Sequence, residues 1–306
     1  MLLSLYYIKH KNFKVNIVLG IMDYIILTNT FQRSPELVER SLKSSLNQKI
    51  KPQKVILIDQ NNPLLKLSKE LKGNPLLEVQ HVNTESVSIA RNLAKKPACE
   101  WYVFCDDDGY MKEDYSEILD KIISTNNHFD IIAGSIIRDD NFEFYSPRHA
   151  IGGNINKFRF TKLLMGSNLV VKEKLFHQLG GFDETFGAGS KWGSGEETDF
   201  AWKAYFNKIP MLYKKDLIVY HIKPYAGGLK HSVNKAFKYG VGKGALICKW
   251  LRKGKLIILY ELLEMEIIPL WLILKAILTI NFREVLISLA SLAGRNLGIL
   301  KFLVGK

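Results

Sequence analysis

The sequence contains few cysteines, and they form no pattern. Cys99, Cys105 and Cys248 are the three cysteines of 306 residues, and their spacing matches neither a disulfide framework nor a zinc site. This scarcity excludes a disulfide-stabilised scaffold and a cysteine-ligated zinc protein. It is typical of a protein in a reducing compartment.

Acidic residues are missing from one long part of the chain. None occurs between Leu217 and Tyr260, although the same range is rich in lysine. Basic and acidic residues balance over residues 1–200, so the net charge of +13 comes from the C-terminal part. Such a basic block is typical of a surface for anionic lipid or nucleic acid, with a merely solvated face as the alternative.

Uninterrupted apolar runs of membrane-spanning length are also lacking. Leu256–Ile280 is strongly apolar but contains three glutamates and a proline, and Val285–Leu303 contains two basic residues. Neither is a good spanning helix. A basic helix followed by two interrupted apolar helices indicates a membrane-associating region over residues 226–306, attached peripherally or monotopically at the cytoplasmic face of the cell membrane. A re-entrant hairpin and a helical dimerisation module are the alternatives.

Residues 1–21 do not show the order of charge, apolar core and small-residue cleavage site that marks a signal peptide. We expect them to be a peripheral N-terminal extension produced by an upstream start codon. A compact pattern begins at Met22.

Short apolar runs alternate with helix-like segments over residues 22–225. The apolar runs include Tyr24–Thr28, Lys54–Asp59 and Trp101–Cys105, and a helix is predicted to open at Pro35. This alternation predicts an α/β fold with a doubly wound, mostly parallel sheet. Ligands of such sheets bind at the carboxyl ends of the strands.

Three consecutive carboxylates, Asp106, Asp107 and Asp108, follow one of these apolar runs. Adjacent carboxylates repel one another, so a cation or solvent must neutralise them. Hard oxygen ligands at a strand end suit Mg²⁺ or Mn²⁺ bridging to substrate phosphates. A solvated acidic turn is the alternative interpretation.

A second acidic group, Glu196, Glu197 and Asp199, follows a glycine-rich stretch at residues 187–195 that contains Trp192. Acidic residues in a first helical turn are favoured by the helix dipole alone. The glycines and the tryptophan favour a mobile binding loop instead.

These motifs, in this order, resemble the family 2 glycosyltransferases of the GT-A fold over roughly Tyr24 to His221. Such enzymes move a sugar from a nucleotide-sugar to an acceptor with inversion. The similarity lies in the opening strand and Ser34-Pro35, Ala90-Arg91-Asn92, Asp106-Asp107-Asp108, Gly166-Ser167-Asn168, Gly181-Phe182-Asp183-Glu184, Gly195-Glu196-Glu197-Thr198-Asp199 and Val219-Tyr220-His221.

The resemblance implies a role for each matched residue. Nucleotide contacts are expected from Thr28, Asp59, Gln60, Arg91, Asp106 and Asp107. The metal, Mg²⁺ or Mn²⁺, is expected on Asp108 with Asp106 and His221. Glu197 is the expected base, and Glu196, Asp199, Ser167, Asn168 and Trp192 are expected to orient the base or bind the acceptor.

Some of these residues have plain structural alternatives. Trp192 could anchor its loop, His221 could be a structural hydrogen-bonding residue, and Arg91 could form a salt bridge on a helix surface.

Two departures from the family pattern affect these expectations. Gln60 stands where a second acidic residue commonly reads the base, and an amide both donates and accepts. Glu196-Glu197 replaces the usual Glu-Asp pair, which adds a methylene to one side chain. The donor is therefore expected to be a UDP-, dTDP- or GDP-sugar without a preference among them.

The sequence thus predicts a membrane-associated inverting glycosyltransferase of surface polysaccharide synthesis. Its predicted partners are a nucleotide-sugar, a glycan or lipid-linked acceptor and an anionic membrane surface, without nucleic acid. A sugar nucleotidyltransferase would need a glycine-rich basic loop after the first strand, where Arg33 is the one basic residue. A non-enzymatic basic membrane- or nucleic-acid-binding protein is the other alternative.

Overall fold

The computed structural model describes residues 22–151, 158–222 and 228–305. The predicted extension at residues 1–21, and the predicted domain boundary at residues 225 and 226, lie outside these ranges. In chain order the strands are β1 Tyr24–Thr30, β2 Lys54–Asp59, β3 Leu77–His81, β4 Trp101–Phe104, β5 Gly109–Met111, β6 Ile131–Arg138, β7 Leu169–Lys172 and β8 Met211–His221. The helices are α1 Pro35–Leu46, α2 Lys69–Lys72, α3 Val87–Leu93, α4 Tyr115–Thr125, α5 Pro147–Ile151, α6 Glu173–Gln178, α7 Glu196–Phe206, α8 Leu229–Arg252, α9 Ile258–Leu278 and α10 Phe282–Leu303.

The strands form an eight-stranded sheet in the order β3-β2-β1-β4-β7-β6-β8-β5. β3, β2, β1 and β4 are parallel, and β6 is parallel to β8. β7 is antiparallel to both of its neighbours, and β5 is antiparallel to β8 at the sheet edge. The prediction of a doubly wound, mostly parallel sheet is confirmed.

Helices cover both faces of the sheet because its strands are apolar on both faces. Ile25 and Leu27 of β1 point into one core, and Tyr24 and Ile26 point into the other. This alternation is the two-residue period of a strand. It leaves the strand ends as the place where polar side chains can gather.

Two segments differ from the sequence prediction. The sequence of residues 64–72 predicts a weak helix, but α2 is a single turn, because Asp59 accepts hydrogen bonds from the backbone of Asn61 and Leu65 and holds the chain in a turn. The apolar run at residues 161–172 predicts a strand, but within it only β7 is a strand. The preceding Gly166–Asn168 forms a 3₁₀ turn instead.

The three C-terminal helices pack against the α/β domain. A third apolar cluster joins the two parts, with Trp202 of α7 edge-on to Trp250 of α8 at 6.3 Å. Lys249 of α8 also contacts Asp183 at 2.7 Å, and it contacts Asp199 of α7. The basic helix is therefore tied to the sheet domain by both apolar packing and buried ion pairs.

Glycines let α8 and α10 cross with their backbones in contact. A Cβ placed on Gly244 would lie 2.0 Å from the Arg295 carbonyl oxygen, and one on Gly298 would lie 2.1 Å from the Val241 carbonyl oxygen. Any larger side chain at either position would push the helices apart.

Two of the glutamates that interrupt the apolar sequence of α9 face inward. Glu261 and Glu264 contact Lys162 at 2.6 and 2.7 Å, whereas apolar residues such as Ile267 and Trp271 face solvent. Among the described residues, α10 is the one helix long and apolar enough to cross a membrane by length and composition.

Candidate active site

A cleft of about 1070 Å³ opens at the carboxyl ends of β1, β4 and β8. The sheet side of the cleft carries the acidic residues that follow β4, and α7 contributes Glu196 and Glu197. α8 forms the opposite wall. The cleft therefore lies where ligands of open α/β sheets are expected to bind.

Asp106, Asp108 and His221 form a group able to hold a metal ion, since their ligand atoms all lie within 4.8 Å of one another. The Nδ1 of His221 donates to the Ile222 carbonyl oxygen at 2.8 Å, which turns Nε2 towards Asp108 Oδ1 at 2.9 Å. Ligating histidines are commonly oriented by such a hydrogen bond. The structure thus brings together the three residues expected at the metal, and their two carboxylates and imidazole suit a divalent cation.

The charges of this group stabilise one another. Burial would raise the pKa of Asp106, but contact with His221 and the charge of Arg91 hold it well below its usual range. Burial would lower the pKa of His221, but Asp106 and Asp108 raise it to about 10. His221 and Arg91 therefore both place positive charge beside these carboxylates.

Asp107 holds the loop that follows β1. Its carboxylate accepts from Thr30 Oγ1 at 2.7 Å and from Arg33 Nε at 3.1 Å, and Arg33 also contacts Asp108 at 2.9 Å. Burial, opposed by Arg33, raises the pKa of Asp107 to about 6. Thr30 and Arg33 were not among the predicted site residues. Thr28 was among the predicted site residues, but it is buried within β1 because the strand runs two residues further than expected.

Arg91 connects the acidic group after β4 to the acidic group on α7. Its guanidinium is buried and lies 3.1 Å from Asp106 Oδ1 and 3.8 Å from Glu197 Oε1. It also donates to Asn29 Oδ1 at 2.9 Å. The alternative of a helix-surface salt bridge is wrong, because Arg91 points into the protein.

Glu197 and Glu196 both line the cleft at the start of α7. Glu197 Oε1 accepts a hydrogen bond from the backbone N–H of Gly166 at 3.2 Å. A Cβ on Gly166 would lie 2.5 Å from this oxygen, so a larger residue there would displace the Glu197 carboxylate. Burial and then the charge of Glu196 raise the pKa of Glu197 to about 8, although Arg91 opposes the shift. Burial also raises the pKa of Glu196.

Two further predicted residues lie in the cleft. Gln60 lines it and donates from Nε2 to the Thr84 carbonyl oxygen at 2.9 Å. Ser167 donates from its hydroxyl to Asp106. Both side chains therefore have defined partners beside the acidic group.

Other predicted site residues do not line the cleft, and each has a structural reason. Asp59 accepts hydrogen bonds from the turn after β2. Asn168 donates from its amide to the carbonyl oxygens of Ser135 and Leu217, both at 2.9 Å.

Trp192 and Asp199 are also outside the cleft. Trp192 is buried, with its ring 5.6 Å from that of Phe302, so it anchors its loop. Asp199 is fully buried, where it contacts Lys249 and accepts from Trp250 Nε1 at 2.8 Å. The positions of Trp192, Asp199, Asp59 and Asn168 therefore do not support the nucleotide and acceptor contacts that were expected of them.

α8 contributes cleft residues that the sequence analysis did not assign. Lys235, Tyr239 and Lys243 all line the cleft. Their spacing of four residues places them on one face of a helix, which is visible in the sequence, but the spacing alone does not show that this face meets the cleft.

The chain matches the model of a known protein family. The family model described as glycosyl transferase family 2 matches residues 25–237. The comparison with curated proteins gives no match.

The solved structures that are similar to the chain include the following two. One is the mannosyltransferase PcManGT from Pyrobaculum calidifontis in complex with GDP-Man and Mn²⁺, with a TM-score of 0.63 and 15% identity over 94% of this chain and 89% of that one. The other is TarS from S. aureus, with a TM-score of 0.52 and 17% identity over 70% of this chain. The chain spans only 39% of the length of TarS. At these identities the similarity concerns the fold alone, and it confirms the predicted GT-A fold.

The metal group generates the first prediction. Asp108→Asn removes one negative ligand, so we expect its affinity for Mn²⁺ to fall by at least the roughly 10–100-fold that loss of an outer-shell partner causes, as measured by electron paramagnetic resonance of free Mn²⁺. Glu113→Gln, which changes an exposed carboxylate five residues further on, should bind Mn²⁺ like the unmodified protein. Equal Mn²⁺ affinity of Asp108→Asn and the unmodified protein would mean that the metal is held elsewhere.

Proposed function

Because the chain belongs to glycosyl transferase family 2, we propose that it is an inverting enzyme that moves a sugar from a nucleoside diphosphate sugar to a hydroxyl of a glycan or lipid-linked acceptor. Glycosyl transfer from a nucleotide-sugar is the reaction of the family. The inverting course, the acceptor, the donor and the individual residue roles are the proposed part. The observation that carries the proposal is the single cleft in which Glu197 faces the Asp106, Asp108 and His221 group across Arg91.

Glu197 is the proposed base. In an inverting transfer the acceptor oxygen forms a bond to the anomeric carbon while the bond from that carbon to the β-phosphate oxygen breaks. The acceptor proton passes to the Glu197 carboxylate, and the electron pair of the broken bond stays on the departing diphosphate. The raised pKa of Glu197 suits it to receive a proton near neutral pH.

The departing diphosphate needs positive charge around it. Arg33 lies beside Asp107 and Asp108, and Lys235 of α8 lies within electrostatic reach of Asp108. A divalent ion, Mg²⁺ or Mn²⁺, bound by Asp108 with Asp106 and His221 would neutralise charge on the β-phosphate. Arg33 and Lys235 would orient the same oxygens from the two walls of the cleft.

The donor is proposed to be a UDP-, dTDP- or GDP-sugar. PcManGT, which has the same fold, holds GDP-Man and Mn²⁺. Gln60 lies in the cleft next to the ends of β1 and β2, where it offers both a donor and an acceptor to a base.

The alternatives have less support. A sugar nucleotidyltransferase needs a basic loop for the donor triphosphate, whereas the single arginine after β1 is paired with Asp107 and Asp108. A non-enzymatic binding protein does not agree with the family, which is one of enzymes.

The C-terminal helices support attachment to a membrane at its cytoplasmic face. Apolar side chains such as Ile267, Trp271 and Leu274 are exposed on α9, and α8 supplies basic residues that attract anionic lipid. Residues 226–306 are therefore proposed to be a membrane-associating region attached to a catalytic domain at residues 22–225. Attachment there would bring the cleft to a lipid-linked acceptor of surface polysaccharide synthesis.

Turnover tests the proposed reaction. The purified protein with Mn²⁺ and a panel of nucleotide-sugars should release nucleoside diphosphate from one donor, and Glu197→Gln should reduce kcat about 10²–10⁴-fold because the base is lost. Glu143→Gln, at an exposed carboxylate, is the matched control. Release at an undiminished rate by Glu197→Gln would remove Glu197 from the role of base.

The pH dependence tests the environment of Glu197. The base acts only when it is ionised, so kcat/KM should fall as the pH is lowered through its raised pKa, well above the ordinary 4.5 and towards about 8. Glu196→Gln removes the neighbouring negative charge, which should lower the pKa of Glu197 and shift the acid limb of the profile to lower pH. An acid limb that stays in place in Glu196→Gln would show that Glu197 does not control it.

Membrane attachment is tested by flotation with vesicles of phosphatidylglycerol and phosphatidylcholine. Trp271→Glu combined with Leu274→Glu should lower the partition coefficient more than tenfold, because burying each such side chain contributes about 1.5–3 kcal/mol. Leu93→Glu changes a leucine that is 61% exposed on α3, compared with 62% for Trp271, and should have no effect. Equal flotation of the double variant and the unmodified protein would contradict attachment through α9.

A further inference from the structure

A cluster of cationic side chains lies in the cleft where α5, α8, α9 and α10 meet. Arg148, Lys162, Lys243 and Arg295 all line the cleft there. Glu261 and Glu264 of α9 are the neighbouring carboxylates, so the cluster keeps an excess of positive charge.

The carboxylates of the cluster are already engaged. Glu264 contacts Arg148 at 3.1 Å and Lys162 at 2.7 Å, and Glu261 contacts Lys162 at 2.6 Å. Lys243, by contrast, is half-buried and has no hydrogen-bond or ion-pair partner within residues 22–151, 158–222 and 228–305. A half-buried ammonium without a partner is costly unless a ligand supplies the missing charge.

The surroundings of Lys243 are predominantly cationic. Burial and then the charge of Arg295 lower its pKa to about 8, with Lys162 and Arg148 acting in the same direction and Glu261 opposing them. An anion bound among these side chains would offset the repulsion between Lys243 and the neighbouring cations.

A neutral donor lines the same cleft. His149 is 1% exposed, and its Nδ1 accepts from the backbone N–H of Ile136 at 3.0 Å, so the ring proton is on Nε2. In the part of the chain that the structure describes, Nε2 has no hydrogen-bond partner. The cleft thus offers an unused N–H as well as an unpaired ammonium.

The spacing along α8 separates this cluster from the donor site. Lys235 lies near Asp108, Tyr239 lies near Glu196 and Glu197, and Lys243 lies in the cationic cluster. Eight helical residues separate the two lysines, which is about 12 Å along the axis. Along α8 the proposed base therefore lies between the diphosphate site and the cationic cluster. This places the cluster on the acceptor side of the base.

We propose that Lys243, with Arg148 and Lys162, binds a phosphate group of the acceptor. The proposal rests on the proposed function, because it names the chemical class of the acceptor of that reaction. Phosphate suits the site because several cations and an N–H donor converge on one cavity, and phosphate has enough oxygens to satisfy them.

Two sources would present the same phosphate chemistry. One is a lipid-linked acceptor, whose phosphate joins the sugar to the lipid. α9 supports this source, since it carries Glu261 and Glu264 towards the cluster and exposes Ile267 and Trp271 on its other side. The other source is a phosphate within a soluble glycan chain.

The test is isothermal titration calorimetry of the full chain at pH 7 and low salt, with EDTA and without nucleotide. The probes are dodecyl phosphate below its micelle concentration, glycerol 3-phosphate and inorganic phosphate. We expect Lys243→Met to weaken binding of the two organic phosphates at least tenfold. Lys230→Met, which removes the same charge from an exposed position of the same helix, should bind them like the unmodified protein.

Comparing the two organic phosphates distinguishes a lipid-linked phosphate from a phosphate within a glycan. Tighter binding of dodecyl phosphate than of glycerol 3-phosphate supports a lipid-linked acceptor, and equal binding supports a phosphate-containing glycan. Arg148→Gln, at a side chain that is 46% exposed, is a second variant that should weaken binding without affecting the core.

Several results would overturn the proposal: no binding of any probe to the unmodified protein, equal binding by Lys243→Met and the unmodified protein, or an equal loss in Lys230→Met. Should Lys243→Met fail to fold, unchanged binding by Arg148→Gln would overturn it as well. Since no nucleotide or metal is present, failure here is distinct from failure of nucleotide-sugar turnover, which would overturn the proposed function.

Discussion

The structure depends on balancing an unusual concentration of negative charge at one edge of its sheet. Asp106, Asp107 and Asp108 face Glu196 and Glu197 across a single cleft. Burial raises the pKa of Glu197, and the nearby carboxylates, Glu196 first among them, raise it further because carboxylates this close oppose one another's ionisation. Buried Arg91 stands between the two groups, so it lowers the repulsion without removing the charge of either. One group can then stay anionic for a cation while the other stays ready to accept a proton.

The residues that hold α8 in place belong partly to motifs expected to act on substrate. Asp183 and Asp199 contact Lys249, and Asp199 also accepts from Trp250. An aspartate in the first turn of α7 is therefore used to attach α8 rather than to contact an acceptor. The helix that carries the proposed base, α7, consequently also fixes the position of α8, which forms one wall of the cleft.

Most of the sheet and the acidic residues Asp106 and Asp108 at its edge could be predicted from the sequence because these features are local, whereas His221 was expected beside them only through the resemblance to the family. Apolar periodicity marks the strands, and carboxylates after a strand mark its functional end. Thr30 was missed in favour of Thr28 because the end of β1 is set by pairing with β2, where Thr30 lies opposite Asp59. Such pairing joins residues far apart in the chain.

The contribution of α8 to the cleft could not be predicted for the same reason. The four-residue spacing of Lys235, Tyr239 and Lys243 is visible in the sequence, but it does not say what that face meets. The answer depends on Gly240 and Gly244, which bring α10 into backbone contact with another part of α8. With the glycine face of α8 packed on α10, the face that carries Lys235 and Lys243 points towards the sheet domain. The glycine positions therefore determine the orientation of the helix.

The C-terminal helices are thus part of the cleft as well as a proposed membrane attachment. α8 supplies one wall, α9 supplies Glu261 and α10 supplies Arg295. Two of the three glutamates that make α9 a poor spanning helix, Glu261 and Glu264, bind Lys162 and Arg148, and apolar side chains such as Ile267 and Trp271 are exposed elsewhere on the helix. A helix built in this way can face lipid on one side and an anionic acceptor on the other. These two interruptions in its apolar sequence therefore follow from its place in the cleft.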